Sequence, residues 1–252
     1  MNGPFSLAGK RALVTGSTRG IGRAIAEAFI AAGARVMISS EDAADTQAAA
    51  DELGQPGIVC DVSDDAALAR LVDGTLAALG GIDILVCNAG ITGAPGPFAT
   101  LDMDDYARVM AINLRSQVVL ANLALPHIAG AGGGSVILLS SISALRGNGA
   151  ISAYALAKAG VSQLARNLAV EWGPRNVRAN AIAPGFIATD LSRPLLENEA
   201  FMARRMAMTP LRRPGTPQEV AGAALFLSSA AGGFVTGQTL VVDGGTVITD
   251  GS

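Results

Sequence analysis

A phenol and an ammonium group stand four residues apart in the stretch SAYALAKAG, which covers residues 152–160. Because residues at i and i+4 share one face of a helix, Tyr154 and Lys158 are predicted to lie side by side. An unperturbed phenol has a pKa near 10, too high for a base at neutral pH. One ammonium at about 5 Å supplies roughly 3 kcal/mol at an effective dielectric near 20, enough to lower that pKa by about 2 units. The pair is a candidate acid–base centre, although the same spacing also arises by chance.

A hydroxyl group is expected beside this pair. Ser141 precedes Tyr154 by thirteen residues and stands at the predicted carboxyl end of a buried strand. Ligands of open α/β sheets bind at the carboxyl ends of the strands, so these groups are predicted to converge on one cleft. Strand alternation sends Ser140 to the other face, whereas Ser143 also reaches the cleft. The choice of Ser141 over Ser143 is therefore not made by position alone.

A glycine-rich turn, TGSTRGIG at residues 15–22, joins the first predicted strand to the first predicted helix. Gly16, Gly20 and Gly22 let the backbone turn sharply and approach a pyrophosphate, which then rests on the helix N-terminus. Glycine turns also occur for purely structural reasons, but this position in an α/β chain favours dinucleotide binding.

The residue that discriminates between NAD and NADP is expected near the end of the second strand, about 20 residues further on. Glu41, after Ser40, is placed to accept hydrogen bonds from the ribose hydroxyls and to repel a 2′-phosphate. Arg19 argues for NADP, since a guanidinium suits a phosphate. The balance favours NAD slightly, and a solvated loop acid is the alternative interpretation of Glu41.

Apolar strand patterns alternate with helical patterns along the chain. The predicted strands cover 11–16, 34–40, 57–63, 82–90, 134–141, 177–185 and 238–245, and the predicted helices cover 22–33, 43–54, 65–80, 102–125 with a bend near Asn113, 151–173 and 217–229. Continuous apolar strands alternating with helices indicate an α/β, Rossmann-type doubly wound parallel sheet of about seven strands with helices on both faces. Residues 1–252 are interpreted as a single domain, in which the less regular segment 186–216 covers the substrate.

Composition excludes several classes of function. The net charge is −3 without a basic stripe, which argues against nucleic acid as the main partner. The apolar runs are short and broken by glycine, so no membrane span is expected. Cys60 and Cys87 lack nearby histidines and are interpreted as small core residues, with no metal site. A cytoplasmic location is the default expectation, since the N-terminus lacks the pattern of a signal peptide.

Seven short motifs occur in the order and at the spacing of one protein family: TGSTRGIG, NAG at 88–90, IN at 112–113, SS at 140–141, YALAK at 154–158, APG at 183–185 and VVDGG at 241–245. On these motifs the chain resembles the short-chain dehydrogenase/reductase family, of the classical type, over nearly its whole length. The nearest likeness is to 3-oxoacyl-(acyl-carrier-protein) reductases and to bacterial alcohol and sugar dehydrogenases.

The resemblance implies hydride transfer between NAD or NADP and a ketone or secondary alcohol. By matching positions, Tyr154 is the general acid or base, Ser141 hydrogen-bonds the substrate oxygen, and Lys158 binds the nicotinamide ribose and lowers the Tyr154 pKa. Asn113 completes the catalytic set by holding a water that links Lys158 to solvent. The residues expected to bind the cofactor are Gly16, Ser17, Arg19, Gly20, Ile21, Gly22, Ser40, Glu41, Asp61, Val62, Asn88, Ala89, Gly90, Tyr154, Lys158, Pro184, Gly185, Ile187 and Thr189.

Two other functions are alternatives. One is a 3-oxoacyl-(acyl-carrier-protein) reductase of fatty-acid synthesis, whose acidic carrier would meet the basic residues Arg204, Arg205, Arg212 and Arg213. These arginines are by default solvated charges. The other is a dinucleotide-binding regulator without turnover, against which the intact catalytic set argues. The family resemblance also implies a homotetramer that pairs the two long helices and the C-terminal strands.

Overall fold

The computed structural model describes residues 3–249, which contain one parallel sheet of seven strands. The strands are β1 (Arg11–Thr15), β2 (Arg35–Ser40), β3 (Gly57–Val59), β4 (Ile84–Cys87), β5 (Gly134–Leu139), β6 (Val177–Pro184) and β7 (Thr239–Val242). Their order is β3-β2-β1-β4-β5-β6-β7, and every neighbouring pair is parallel. Residues 1–2 and 250–252 lie outside the described residues, so the ends of the predicted domain 1–252 are not described.

Helices cover both faces of this sheet. They are α1 (Gly20–Ala31), α2 (Ala43–Leu53), α3 (Asp65–Leu79), α4 (Met103–Met110), α5 (Ser116–Gly130), α6 (Ser152–Trp172), α7 (Arg193–Leu196), α8 (Glu199–Ala207) and α9 (Pro217–Ser228). In β1, Ala12 and Val14 pack toward α1, α2 and α9, whereas Leu13 packs toward α3, α5 and α6. Both faces are buried, which confirms the predicted doubly wound α/β fold.

The strand order reverses between β1 and β4, and this is where a crevice opens at the carboxyl edge of the sheet. Several strands end earlier than predicted: β3 stops at Val59 instead of residue 63, and β4 stops at Cys87 instead of residue 90. The residues that follow leave the hydrogen-bonded ladder and turn toward the crevice. Strand-like sequence at these positions therefore supplies the wall of the site.

Side chains of Asp42, Asp64, Asp102 and Thr216 cap the N-termini of α2, α3, α4 and α9. Helix α1 differs, because no side chain caps it and its first turn contains no acidic residue. Its first backbone N–H groups are left for another partner, and they point into the crevice region.

The predicted helix 102–125 forms, and it extends to Gly130. A single π-helical turn at residues 111–115 separates α4 from α5, which agrees with the bend expected near Asn113. By length and composition the stretch Met103–Gly130 is also apolar enough to cross a membrane. Leu120, Leu125 and Ile128 are nevertheless fully buried against the sheet, so their apolar surface is used in the protein core.

Candidate active site

A cavity of about 520 Å³ opens at the carboxyl ends of β1, β2, β4, β5 and β6. This volume lies within the range of small-molecule sites. The predicted residues that line it are Gly16, Arg19, Gly20, Ile21, Ser40, Glu41, Asp61, Val62, Asn88, Ala89, Gly90, Asn113, Ser141, Tyr154, Lys158, Pro184, Gly185, Ile187 and Thr189. The carboxyl edge of the sheet thus brings nearly all of the candidate residues together.

The hydroxyl, phenol and ammonium groups meet on one wall of this cavity. The Tyr154 hydroxyl lies beside Ser141, and Lys158 Nζ lies 5.5 Å from the centre of the Tyr154 ring. Lys158 is buried and donates from Nζ to the main-chain oxygen of Leu139 at 2.7 Å. Helix α6 supplies the last two groups, and the end of β5 supplies the first.

Burial shifts the two titrating groups in opposite directions. It raises the pKa of Tyr154, an effect that the hydrogen bond from Ser141 opposes, and it lowers the pKa of Lys158 from 10.5 to about 8. The sequence argument expected Lys158 to lower the Tyr154 pKa, and the net direction is the reverse. The loss of water around the phenol outweighs the opposing effect of Ser141, because desolvation penalises the phenolate.

Ser140 and Ser143 do not compete with Ser141. Ser140 Oγ donates to the main-chain oxygen of Lys158 at 2.8 Å and lies 2.8 Å from Ser162 Oγ, so it fastens α6 to β5. The Ser143 backbone N–H donates to Ser141 Oγ at 3.1 Å. Ser143 is thus engaged through its backbone, and it is Ser141 whose side chain stands beside Tyr154.

Asn113 sits in the π-helical turn and is completely buried. Its side-chain amide donates to the main-chain oxygen of Ile91 at 2.8 Å and accepts from the Ile91 N–H at 3.1 Å. Gln117 Nε2 donates to the main-chain oxygen of Asn113 at 3.0 Å. The side chain therefore ties the loop after β4 to the turn. A Cβ at Gly90 would overlap Asn113 Oδ1, which explains the glycine there.

The turn between β1 and α1 fits a pyrophosphate. Gly16 and Gly20 have positive φ angles of 61° and 57°, and a Cβ at Gly22 would overlap the carbonyl oxygen of Gly16. Asn88 Nδ2 donates to the main-chain oxygens of Thr15 and Gly16, each at 3.0 Å, and holds the turn in place. The uncapped N-terminus of α1 behind this turn offers N–H groups to an anion.

Two predicted cofactor residues do not line the cavity. Ser17 is fully buried, where its Oγ donates to the main-chain oxygen of Val14 at 2.8 Å and accepts from the Ser39 N–H at 2.9 Å. It joins β1 to β2, and Thr18 faces the cavity instead. Gly22 packs behind the turn, against Gly16. Adjacent hydroxyl residues in a turn carry no sequence signal that tells which one points inward.

The far end of the cavity, where the adenosine is expected, is rich in acidic groups. Arg19 lies 3.6 Å from Glu41 and 3.3 Å from Asp45, between Nη and carboxylate oxygen atoms. Asp61 and the buried Cys60 complete this end. Burial raises the pKa of the Cys60 thiol to about 11, so this cysteine behaves as the apolar residue that was expected.

The opposite end of the cavity is covered by residues of the segment 186–216. This segment, predicted to be less regular, contains the short helices α7 and α8. Its cavity-lining residues include Phe186, Leu191 and Leu195, which make this end apolar. Further lining residues, which were not among the predicted site residues, are Thr18, Cys60, Ile91, Thr92, Ile112, Leu139, Ser140, Asp190 and Ser192.

Comparison with known proteins gives consistent matches over nearly the whole chain. A family model described as enoyl-(acyl carrier protein) reductase matches residues 16–247. The 7alpha-hydroxysteroid dehydrogenase of Escherichia coli (strain K12) is 40% identical over 246 residues, which are 96% of this chain and 95% of that protein.

Two solved structures are similar at the level of the backbone. A 7 alpha-hydroxysteroid dehydrogenase complexed with NADH and 7-oxo glycochenodeoxycholic acid has a TM-score of 0.91 and 39% identity, with 96% of each chain covered. A gluconate 5-dehydrogenase from Burkholderia cenocepacia J2315, in complex with NADP and tartrate, has a TM-score of 0.92 and 35% identity, with 98% of each chain covered. Both of these relatives hold a nicotinamide dinucleotide.

Proposed function

We propose that this chain, which belongs to the short-chain dehydrogenase/reductase family and is therefore an NAD(P)-dependent oxidoreductase of alcohol and ketone groups, prefers NAD(H). It interconverts a small-molecule ketone and its secondary alcohol at Ser141, Tyr154 and Lys158. The observation that carries the proposal is the convergence of these three side chains on the cavity that also contains the glycine turn. A bound nicotinamide supplies the hydride in reduction and takes it up in oxidation.

The protein residues divide the remaining work among them. Ser141 Oγ holds the substrate oxygen next to the Tyr154 hydroxyl, beside which it lies. The raised pKa keeps Tyr154 protonated at neutral pH, so in reduction the phenol is ready to give its proton to the substrate oxygen. Lys158 stays mainly protonated below pH 8 and stabilises the phenolate that forms.

The preference for NAD(H) is supported by the charges around Arg19. The guanidinium is already accompanied by two carboxylates, those of Glu41 and Asp45. A 2′-phosphate at this end would meet both acids, whereas the ribose hydroxyls of NAD can donate hydrogen bonds to Glu41. All three side chains are largely exposed, so the discrimination will weaken as salt is added.

Substitution of Glu41 tests this preference. In Glu41→Arg the repelling carboxylate becomes a second guanidinium, and we expect the ratio of kcat/KM for NADPH to that for NADH to rise at least about tenfold. Initial rates with both reduced cofactors and a neutral ketone measure the ratio. Asp73→Arg, which makes the same charge change at an exposed position of α3 away from the cavity wall, is the control. An unchanged ratio in Glu41→Arg removes Glu41 from cofactor recognition.

A panel of neutral ketones tests the activity itself. The apolar side chains Phe186, Leu191 and Leu195 favour substrates with an apolar body. We expect oxidation of NADH in the presence of cyclic and aliphatic ketones, followed by the absorbance of the reduced nicotinamide. Tight binding of NADH without turnover of any ketone or alcohol would instead support the regulator.

A further inference from the structure

One arginine of the covering segment is partly buried without an acidic partner of its own. The guanidinium of Arg205, on α8, lies 5.9 Å from the centre of the Phe186 ring, and Phe186 lines the cavity. The Nε atom of Arg205 is buried and has no hydrogen-bond partner among the described residues. Burial lowers the pKa of this guanidinium. A buried N–H donor without an acceptor is costly, and a ligand oxygen would satisfy it.

A second cation, Arg146, acts electrostatically on Arg205. Arg146 belongs to the segment between Ser141 and Tyr154, and its charge repels that of Arg205. Within residues 3–249, neither arginine has an ion pair with a carboxylate. The charge of Arg146 therefore adds to the positive potential at Arg205, beside the cavity-lining Phe186, which favours an anion there.

Asp243, the acid that acts on Arg205, already accepts hydrogen bonds from the backbone. Asp243 attracts Arg205 electrostatically, but its two carboxylate oxygens accept from the Gly245 N–H at 2.8 Å and the Val247 N–H at 2.7 Å. These bonds stabilise the turn after β7. Because Asp243 is one acid against two arginines, the group of Arg146, Arg205 and Asp243 has a net positive charge.

The other basic residues of this segment have different surroundings, and Arg193 is paired with Asp190. Arg212 donates to the main-chain oxygen of Ala207 at the end of α8, and Arg213 is paired with Glu219 at the start of α9. Arg204 is exposed on α8. These contacts do not form a continuous free basic patch for an acidic carrier protein. Of these arginines of the covering segment, Arg205 is the one beside the cavity-lining Phe186.

We propose that Arg146 and Arg205 bind an anionic group of the substrate, so that the natural substrate is a ketone or secondary alcohol that also carries a carboxylate or a similar oxyanion. The proposal rests on the proposed oxidoreductase function and specifies its substrate class. Arginine suits this task because its planar guanidinium binds a carboxylate through two parallel hydrogen bonds. The carbonyl of such a substrate would lie at Ser141 and Tyr154, and its charged end beyond Phe186.

Matched acids and esters test the proposal. Linear keto acids from 4-oxopentanoate to 7-oxooctanoate, and 4-oxocyclohexanecarboxylate, are each compared with their methyl esters, which have the same carbon skeleton without the charge. For at least one length we expect the kcat/KM of the acid to exceed that of its ester at least about tenfold, and this advantage to shrink as salt is raised. Equal values at every length would overturn the proposal.

Three variants locate the effect, and a fourth is the control. In Arg205→Met and in Arg146→Met, the kcat/KM for the preferred acid should fall at least about tenfold, while that for the ester changes less than about threefold. Arg205→Lys, which keeps the charge, should recover part of the loss. Arg204→Met removes the same charge from the neighbouring exposed position of α8 and should leave both substrates unaffected.

The possible outcomes separate this proposal from the function on which it rests. A parallel loss for acid and ester in Arg205→Met would mean that Arg205 only supports Phe186, and would overturn the anion site. Wild-type activity on neutral ketones, with no preference for any acid, would leave the oxidoreductase function intact and reject the anion site alone. No turnover of any ketone would reject the function first.

Discussion

The phenol of Tyr154 and the ammonium of Lys158 both lie in buried surroundings that disfavour their charged forms. Burial favours the neutral form of both, as the raised pKa of the first and the lowered pKa of the second show. Neither shift hinders proton transfer. The phenol keeps its proton until a substrate oxygen receives it, and the lysine with a pKa of about 8 is still charged at neutral pH, when the phenolate needs a counter-ion.

The proton donor can be removed with little change in shape. Tyr154→Phe should retain NADH binding and lose at least about a hundredfold in kcat, the usual contribution of a positioned acid or base. Tyr106→Phe, which alters the other tyrosine of the chain, is the control and should keep its rate. Initial rates and a fluorescence titration with NADH measure the two properties. Near-normal turnover in Tyr154→Phe would exclude Tyr154 from the chemistry.

The buried lysine should be visible in the stability of the protein. Its pKa is about 8 when folded, against an ordinary value of 10.5. The unfolded chain therefore binds this proton more tightly, so burial of the charged lysine costs stability below pH 8, and the cost disappears as pH rises toward 10.5. Relative to Lys158→Met, the wild type should gain about 3 kcal/mol in free energy of unfolding between pH 8 and pH 10.5.

Urea unfolding of both proteins at several pH values across this window measures the change, and the constant difference caused by loss of the Leu139 hydrogen bond does not affect it. Lys10→Met, at an exposed position, provides the matched control and should follow the wild type. A difference between wild type and Lys158→Met that stays constant with pH would mean that Lys158 titrates as an ordinary lysine.

At the scale of elements, the site depends on how the end of β4 is tied to the π-helical turn. Both hydrogen-bonding groups of the Asn113 amide are used on the backbone of Ile91. The π-helical turn places the Asn113 side chain against the loop that lines the cavity. In a regular α-helix the same side chain would point in a different direction. Asn113 thus acts on the site by fixing the loop of Asn88, Ala89 and Gly90.

Loss of the Asn113 amide should loosen that loop. In Asn113→Ala two buried hydrogen bonds disappear, and we expect the free energy of unfolding to fall by about 2 kcal/mol and the Kd for NADH to rise several-fold. Asn167→Ala, an exposed position of α6 where an amide accepts from Gln163, is the control. Urea unfolding and a titration with NADH measure both effects. Unchanged cofactor affinity would show that the loop does not need this tie.

The sequence predicts elements better than it predicts the direction of individual side chains. Periodicity and glycine spacing locate the seven strands and the turn at Gly16, because these patterns follow from burial and from backbone sterics. These patterns do not predict that Ser17 joins β1 to β2 while Thr18 faces the cavity. They also do not give the net shift of the Tyr154 pKa, since desolvation depends on residues that are distant in the sequence.

At the scale of the molecule, two groups among the exposed large apolar side chains lie on α6 and around β7. Leu156 and Val170 lie on the outer side of α6, and Val170 is 82% exposed. Phe234, Val241 and Ile248 surround β7, the edge strand of the sheet, and Phe234 is fully exposed. Exposed apolar patches of this kind are typical of subunit interfaces. We propose that the first patch pairs α6 with its copy and that the second pairs the edges at β7, as a homotetramer with two kinds of interface requires.

Substitution of one residue in each region tests this assembly. We expect the wild type to be a tetramer, and Val170→Asp and Phe234→Asp each to yield dimers, because an unpaired carboxylate in the centre of an apolar interface costs several kcal/mol. Size-exclusion chromatography with light scattering gives the masses. Val59→Asp places the same charge on an exposed residue of β3, at the opposite edge of the sheet, and should remain tetrameric. If Phe234→Asp keeps the mass of the wild type, the β7 edge is free in solution and its apolar residues need another explanation.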